Sequence, residues 1–351
     1  MSSRENLIEG DDRHRIAKPE MFSFFGKCFH LVFDSGIVFT LMLRSLLGGQ
    51  KLYLICGEYG RIGNRLFFFS HVIAWAKENN AIVYYPSFFS YASWFKGTRN
   101  DYLVRYPRKS RWFLGANSYF NRIASNCLHR ISLRLGQRPD SRLVRSIILE
   151  ENGYDICSEK FAHALSRRGI LFLRGFVFTS KKDFLIERQR SELQQHFRPP
   201  SSYEKGIQEP FEKLKGKCDV VVGVVIRHGD YREYRSGEYF YSLSVFQRVL
   251  EELTEQMSPV RPGFFIASDE NQDTSAFESF PHYFRQGHPV ENINALARCD
   301  LLTGSPSTFL TWPAFFGNIP CVQLFPDDLK KNRLCFPFKG HSKPTPCSSG
   351  N

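Results

Sequence analysis

The sequence predicts an α/β protein with doubly wound, mainly parallel sheets. Short β-branched runs alternate along the chain with segments of helical spacing, which is typical of strand–helix layers. Three of the short runs in the second half end abruptly in polar or charged residues, as strands do where open sheets bind ligands. At 351 residues the chain is longer than one hydrophobic core usually serves, which predicts two domains.

The first half contains a compact strand–helix–strand unit. Its predicted elements are a strand (51–56), a glycine-rich loop (57–63), a helix (64–78), a strand (81–85), a basic, mostly helical segment (99–137) and a strand (170–178). The short crossover between the first two strands implies that they pair in parallel. The Pro- and Ser-rich run at 197–202 interrupts the pattern and predicts the linker between domains.

The second half repeats a rhythm of strand, loop and helix. Its predicted elements are a strand ending at Ile226, a helix (242–257), a strand (264–267), a helix (291–298), a strand (301–303), a helix (307–316) and a strand (321–324). The resulting organisation is an N-terminal arm (1–49), two domains (50–200 and 201–330) and a mobile tail (331–351).

The net charge of +12 and the pI of about 9.3 indicate anionic partners. The excess is concentrated in residues 99–145, where eleven Lys or Arg residues face only two Asp and are interleaved with aromatics. An anionic membrane or acceptor, a solvated basic face and, least favoured, nucleic acid are the alternatives for this segment.

Cysteine usage and the N-terminal residues predict a cytoplasmic setting. The nine Cys include no CxxC pair, which argues against a zinc or redox motif. Residues 1–18 are polar and do not resemble a secretory signal. Residues 29–47 are apolar but contain His30, Asp34 and Arg44, so we expect an amphipathic helix that packs on the first domain or lies on a membrane face, rather than a spanning segment.

Three loops follow the strands of the second half, at 227–231, 268–270 and 304–308. Parallel strands present their carboxyl ends at one edge of a sheet, so the loops are expected to converge. Arg227 suits a phosphate because its planar fork makes two charge-assisted hydrogen bonds. A strand capped by an ion-paired surface turn is the alternative for this first loop.

The third loop predicts an anion site at a helix start. Ser305 is the expected N-cap and Pro306 the first helical residue, so Ser307 and Thr308 would present hydroxyls and amides at the positive helix end. With Arg227 opposite, a nucleoside diphosphate between the two is the natural inference.

The glycine-rich loop 57–64 resembles a dinucleotide fingerprint only superficially. Its spacing is not GxGxxG, and no acidic residue ends the following strand. The loop nevertheless places Arg61 and Asn64 at a strand end, where they face any cleft between the domains.

Three motifs together resemble a known superfamily. Residues 60–65, 224–231 and 291–308 resemble, in order, the motifs of protein O-fucosyltransferases and family 11 α-1,2-fucosyltransferases, and the likeness spans about residues 50–325. It implies a GT-B fold of two Rossmann-like domains facing a cleft, the first for the acceptor and the second for the donor. It also implies GDP-fucose as donor substrate, a glycan or lipid-linked glycan as acceptor, and no cofactor or metal, consistent with the lack of an Asp-x-Asp motif.

The resemblance also implies roles for individual residues. Arg227 would hold the β-phosphate and stabilise departing GDP in a single inverting displacement. Ser307 and Thr308 would bind phosphate oxygens, and Asn64 would lie beside the sugar or the acceptor hydroxyl. The candidate catalytic residues are therefore Arg227, Asn64 and His228, and the candidate donor-binding residues are Arg61, Gly63, Arg227, Asp230, Asp269, Glu270, Glu291, Asn292, Ser305, Ser307 and Thr308.

The sequence departs from the superfamily motifs at functional positions. Val225 replaces the usual His, and His228 replaces the second Arg. The guanine-contacting Asp falls on Asn292, where the adjacent Glu291 is the expected substitute. No carboxylate stands out as a base, and Glu58 and His228 are candidates by position alone.

Two alternative functions remain at this point. Residues 227–229 also match the start of the histidine phosphatase motif, although its next Arg comes one position late. The departures at Val225 and Asn292 instead favour a catalytically inactive protein that binds nucleotide or glycan.

Overall fold

The computed structural model describes the greater part of the chain. The described residues are 51–57, 59–99, 101, 104–107, 122–123, 126–127, 129–131, 133–134, 144–149, 159–175, 184–331 and 334–337. The predicted N-terminal helix at 29–47, the candidate Glu58 and most of the basic segment 99–145 lie outside the described residues.

Ten strands form two five-stranded sheets. The strands are β1 (Lys51–Cys56), β2 (Ala81–Tyr84), β3 (Arg105–Tyr106), β4 (Val144–Leu149), β5 (Ile170–Gly175), β6 (Val220–Ile226), β7 (Pro262–Ser268), β8 (His282–Arg285), β9 (Leu301–Gly304) and β10 (Cys321–Gln323). Strands β3, β4 and β8 were not predicted, because β3 is two residues long, β4 contains the polar pair Arg145 and Ser146, and β8 has no β-branched side chain.

The sheet of the first half has the strand order β3-β2-β1-β5-β4. All neighbours pair in parallel except β3, which is antiparallel to β2. Strand order reverses between β1 and β5, so the glycine-rich loop after β1 lies at the switch point, where open sheets bind ligands.

The sheet of the second half is entirely parallel, with the order β10-β9-β6-β7-β8. This is the 3-2-1-4-5 order of a Rossmann-like domain, and its switch point lies between β6 and β9. Val225 of β6 pairs with Gly304 of β9. Arg227 and the start of the following helix are therefore brought to the same edge of the sheet, as predicted.

Ten α-helices lie in the described part of the chain. They are α1 (Ile62–Glu78), α2 (Phe89–Ala92), α3 (Glu159–Ser166), α4 (Phe184–Arg188), α5 (Arg190–His196), α6 (Glu204–Leu214), α7 (Leu243–Met257), α8 (Pro289–Leu296), α9 (Thr308–Gly317) and α10 (Pro326–Lys331). The prediction that Ser305 caps the last long helix is wrong. Ser307 is the N-cap of α9, and its hydroxyl accepts a hydrogen bond from the amide of Leu310 at 3.2 Å.

The two halves share a hydrophobic core. Trp312 of α9 and Ile293 of α8 are buried among residues of α1. Phe67 meets Trp312 edge-on, with ring centroids 5.2 Å apart. Phe197, in the predicted linker, is fully buried against Trp312 as well. Apolar packing therefore holds the two sheets on either side of one cleft, and the predicted α/β class with two doubly wound sheets is confirmed.

One charged side chain and two apolar side chains have a different environment from the one predicted. Arg145 was assigned to the basic face, but it is buried in β4 and donates to the carbonyl oxygens of Ala164 and Arg167 at 2.6 and 3.0 Å. Leu334 and Phe336, in the predicted mobile tail, are buried against the core of the second half. Among the described residues, no helix combines the length and the apolar character that a membrane span requires.

Candidate functional site

A cleft of about 350 Å³ lies between the two halves. The second half contributes the carboxyl ends of β6 and β7, together with Asn292 and Thr308. The first half contributes the start of α1, with Arg61, and the aromatic side chains of Tyr91 and Trp94. Both switch-point regions therefore open into the same space, which is the default location for a ligand.

Arg227 leaves β6 at the base of this cleft, and its side chain is only 11% exposed. Its Nη2 donates to Asp230 Oδ1 at 2.6 Å. Its Nε lies 2.9 Å from Asp269 Oδ2, close enough for an ion pair but not aligned for a hydrogen bond. Its Nη1 has no acceptor within the described part of the chain. Two carboxylates thus fix the guanidinium and leave one edge open to an anionic ligand.

Asp269 organises the loop after β6. Its Oδ1 accepts hydrogen bonds from the amides of His228 and Gly229, at 2.9 and 3.3 Å, while its other oxygen faces Arg227. Because one carboxylate holds both the loop backbone and the guanidinium, the position of Arg227 depends on β7 as well as on its own strand.

Asp230 and Arg61 form the outer rim of the cleft. Arg61 caps α1, its side chain is 60% exposed, and its Nη1 lies 3.5 Å from Asp230 Oδ1 and 4.0 Å from Asp269 Oδ2. Burial raises the pKa of Asp230, but the positive charges of Arg227 and Arg61 outweigh it and hold this pKa below its ordinary value. The carboxylate therefore stays ionised and binds both cations.

The start of α9 faces Arg227 across the cleft. Gly304 has φ +141°, and a Cβ there would lie 2.2 Å from the carbonyl oxygen of Val225, so only glycine allows β9 to approach β6 this closely. After the cap at Ser307, the amides of Thr308 and Phe309 have no acceptor among the described residues. Both residues line the cleft, so the helix presents two free donors and its positive end to a ligand.

Ser305 does not take part in this arrangement directly. It is fully buried, its amide donates to the carbonyl of Val225 at 3.0 Å, and its hydroxyl has no partner among the described residues. Ser305 was predicted to be a donor-binding residue, but its described contacts are structural, because its amide continues the pairing of β9 with β6.

Gly63 and Asn64 join the starts of α1 and α9. A Cβ on Gly63 would lie 2.7 Å from the backbone of Thr308, so the two helix ends touch at this point. The hydroxyl of Thr308 donates to Asn64 Oδ1. Gly63 lines the cleft, whereas Asn64 lies behind it and holds the two halves together. The placement of Asn64 beside the sugar or the acceptor hydroxyl stays a prediction.

The structure argues against a catalytic His228. Its ring is buried, stacks at 4.5 Å on Phe240, and bonds through Nε2 to the carbonyl of Tyr241 at 2.7 Å. It lies outside the cleft lining. A buried imidazole turned into the core cannot attack a phosphorylated substrate, so the phosphatase alternative loses its nucleophile.

The helix that carries Glu291 and Asn292 also corrects a prediction. The Glu291 carboxylate lies against Gly206 of α6 and faces away from the cleft, so it cannot substitute for Asn292. Asn292 lines the cleft, but its Oδ1 accepts from Arg285 Nε at 2.7 Å and its Nδ2 donates to the carbonyl of Gln286 at 3.0 Å. Its amide plane is therefore fixed.

Glu270 lies outside the cleft lining as well, because its carboxylate pairs with Arg232 at 2.9 Å on the surface. Conversely, the wall formed by Tyr91, Trp94 and Phe309 was not predicted. The available signal was the aromatic run after the second strand, but only the tertiary structure brings it opposite Arg227. Within the described residues, no group of three or more His, Cys, Asp or Glu side chains is arranged to hold a metal ion.

Comparisons with known proteins concern the fold. No protein-family model and no curated protein matches the sequence. An Arabidopsis thaliana FUT1 mutant in complex with GDP superimposes with a TM-score of 0.52 at 11% identity, covering 82% of this chain and 73% of that one. NodZ fucosyltransferase from Bradyrhizobium gives 0.44 at 13%, covering 79% and 96%. POFUT1 in complex with GDP-fucose gives 0.43 at 11%, covering 78% and 97%. The first of these likenesses shows the fold alone: the chain has the GT-B fold, with two Rossmann-like sheets facing one cleft.

Proposed function

We propose that this protein is a glycosyltransferase that transfers fucose from GDP-fucose to a hydroxyl of a glycan. The observation that carries the proposal is the open edge of Arg227 opposite the two free amides of α9, in a cleft between two Rossmann-like sheets. Such a pair of donors fits the diphosphate of a nucleotide sugar. The structural neighbour with the same fold is in complex with GDP, which supports this choice of ligand.

In this proposal the protein acts mainly on the leaving group. The acceptor oxygen forms a bond to the anomeric carbon while the bond from that carbon to the β-phosphate oxygen breaks, and the electron pair leaves with GDP. Arg227 and the amides of Thr308 and Phe309 stabilise the charge that develops on the diphosphate. They are already fixed before the substrate binds, so little reorganisation opposes the reaction.

We assign the carboxylates of the cleft to positioning rather than to proton transfer. Asp269 already accepts two amide hydrogen bonds and faces Arg227, and Asp230 lies between two arginines that lower its pKa. A carboxylate stabilised in its charged form is a weak base. The acceptor proton therefore passes to solvent or to the departing phosphate in this scheme.

Calorimetric titration with GDP, GDP-fucose and UDP-glucose tests the proposal. We expect micromolar binding of GDP and GDP-fucose, and a loss of affinity of about 2–5 kcal/mol in Arg227→Ala. Arg232→Ala is the matched control, because this arginine follows on the same loop but pairs with Glu270 outside the cleft. No binding of any nucleotide, or equal binding by the Arg227→Ala protein, would remove the transferase assignment.

A catalytically inactive nucleotide-binding protein is the second candidate. It is favoured by the departures from the superfamily motifs at Val225 and Asn292, the latter held by a hydrogen bond from Arg285 to its side-chain oxygen. Release of free fucose or transfer to any glycan in the presence of GDP-fucose separates the two, since an inactive protein binds GDP without turnover.

A further inference from the structure

The loop after β6 carries three tyrosines, Tyr231, Tyr234 and Tyr239, whose rings all contact one another and which we call the tyrosine cluster. The ring centroids of Tyr231 and Tyr234 are 5.5 Å apart, those of Tyr234 and Tyr239 are 6.3 Å apart, and those of Tyr231 and Tyr239 are 6.5 Å apart, with planes inclined by 31°, 33° and 50°. Phe325 meets Tyr239 edge-on at 6.4 Å and extends the aromatic surface.

The outer part of the tyrosine cluster faces solvent. Tyr234 is 46% exposed and Phe325 is 41% exposed. Four large apolar side chains are exposed in the described part of the chain, and two of them belong to this one patch. Scattered exposed apolar residues need no explanation, whereas an exposed aromatic cluster marks a binding surface.

The backbone that carries the tyrosine cluster has an uncommon conformation. Arg235, Ser236 and Gly237 are three consecutive left-handed residues, with φ of 48°, 57° and 78°. Side chains other than Gly and Asn rarely adopt this conformation, and such residues cluster at ligand sites. The Arg235 guanidinium lies 5.8 and 5.9 Å from the outer two ring centroids, and it donates to the Tyr239 hydroxyl at 3.3 Å.

The tyrosine cluster adjoins the cleft through Tyr231, which contacts the cleft residue Arg227. The guanidinium of Arg227 lies 5.1 Å from the ring centroid of Tyr231. The Tyr231 hydroxyl donates to the carbonyl of Pro306, just before α9, at 2.5 Å. The inner ring is therefore fixed to both elements of the proposed donor site, and the outer rings lead from there to the surface.

We infer that the tyrosine cluster binds a pyranose saccharide, and that this saccharide is the acceptor. The apolar C–H face of a pyranose ring stacks on an aromatic face, and tyrosine adds a hydroxyl at the edge. Exposed charged side chains border the rings, among them Arg232, Glu233 and Glu238, and they suit a ligand rich in hydroxyls better than an apolar peptide or lipid chain. The inference rests on the proposed function in taking the saccharide to be the acceptor.

Saturation-transfer NMR with N-acetyllactosamine and with cellotetraose tests the site. We expect at least one of these β-linked saccharides to receive saturation from the wild-type protein, and its dissociation constant to rise tenfold or more in Tyr234→Ala. Tyr234→Phe, which keeps the ring, should stay within threefold. Ile148→Ala is the matched control, because Ile148 is equally exposed, at 47%, on β4 of the other sheet. Unchanged circular dichroism of each variant shows that the fold is intact.

Several outcomes would overturn the inference. One is no saturation of either saccharide by the wild-type protein, and another is equal binding by the Tyr234→Ala protein. A third is a changed sedimentation mass of that variant with saccharide binding intact, which would make the tyrosine cluster a protein contact. GDP titration of the same samples separates this inference from the proposed function. Normal GDP binding with failed saccharide binding refutes only the saccharide site at the tyrosine cluster. Tyr234-dependent saccharide binding without GDP binding retains that site and refutes the donor assignment.

Discussion

The two halves of the molecule present arginines at their switch points in opposite ways. After β6, Arg227 is nearly buried and is held by two carboxylates. After β1, Arg61 is 60% exposed, and its ion pairs within the described residues are longer, at 3.5 and 4.0 Å. The next arginine, Arg65 in the first turn of α1, is buried but turns inward, donating to the carbonyl oxygens of Gly60 and Ser87 at 3.1 Å each.

This difference indicates that the two halves, although similar in fold, contribute differently to ligand binding. A buried, fixed guanidinium reaches its ligand without losing further side-chain freedom, whereas an exposed one must be ordered and is screened by water. In the proposed function, the second half provides the fixed anion site, and the first half provides an adjustable cation and two aromatic side chains of the wall, Tyr91 and Trp94. Three experiments test this comparison, in order of decreasing expected effect.

Asp269→Ala should have the largest effect, because it leaves Arg227 with one carboxylate fewer and two amides without an acceptor. We expect the free energy of unfolding to fall by about 3 kcal/mol, measured by urea denaturation. Asp219→Ala removes an exposed pair with Arg261 and one hydrogen bond from the Arg261 amide, both open to water, and should change stability much less. Equal losses in the two variants would show that burial does not distinguish the β6 loop.

The contact between the halves should be worth less. In a double-mutant cycle, Asn64→Ala and Thr308→Val are expected to show a coupling of about 1 kcal/mol in unfolding free energy, since one hydrogen bond joins the two side chains. Additive effects, within about 0.5 kcal/mol, would mean that the two switch points are energetically independent.

Arg61→Ala should have the smallest effect. Since its side chain is mostly exposed, we expect GDP affinity to fall by less than about fivefold, or about 1 kcal/mol, in calorimetry at physiological salt. A loss as large as that of Arg227→Ala would contradict the comparison and make Arg61 an equal part of the anion site.

Most of the strands that were predicted correctly share one property. β1, β2, β5, β6, β7 and β9 are mainly buried and rich in apolar residues, so local composition identifies them, whereas the predicted β10 is half-buried. β4 and β8 carry charged or half-buried side chains, and only pairing with a neighbour makes them strands. In β4, the buried Arg145 is satisfied by the carbonyl oxygens after α3, a distant partner that the sequence does not reveal.

The candidate site was predictable to the extent that parallel strands bring their carboxyl ends together. That rule placed Arg227, Asp269 and Thr308 at one cleft, which the structure shows. It gave no side-chain directions, and it therefore did not distinguish Arg227 from its neighbour His228, or Asn292 from Glu291. In each pair one side chain faces the cleft and the other turns away.

The sequence by itself determined the α/β class, the order of the main elements and the strand ends where a ligand would bind, because these follow from periodicity and from local residue preferences. The tertiary structure decided which side chains line the cleft, where α9 is capped and which tyrosines stack beside Arg227. Those outcomes depend on packing and on hydrogen-bond partners many residues away, as when the Tyr231 hydroxyl reaches the carbonyl of Pro306.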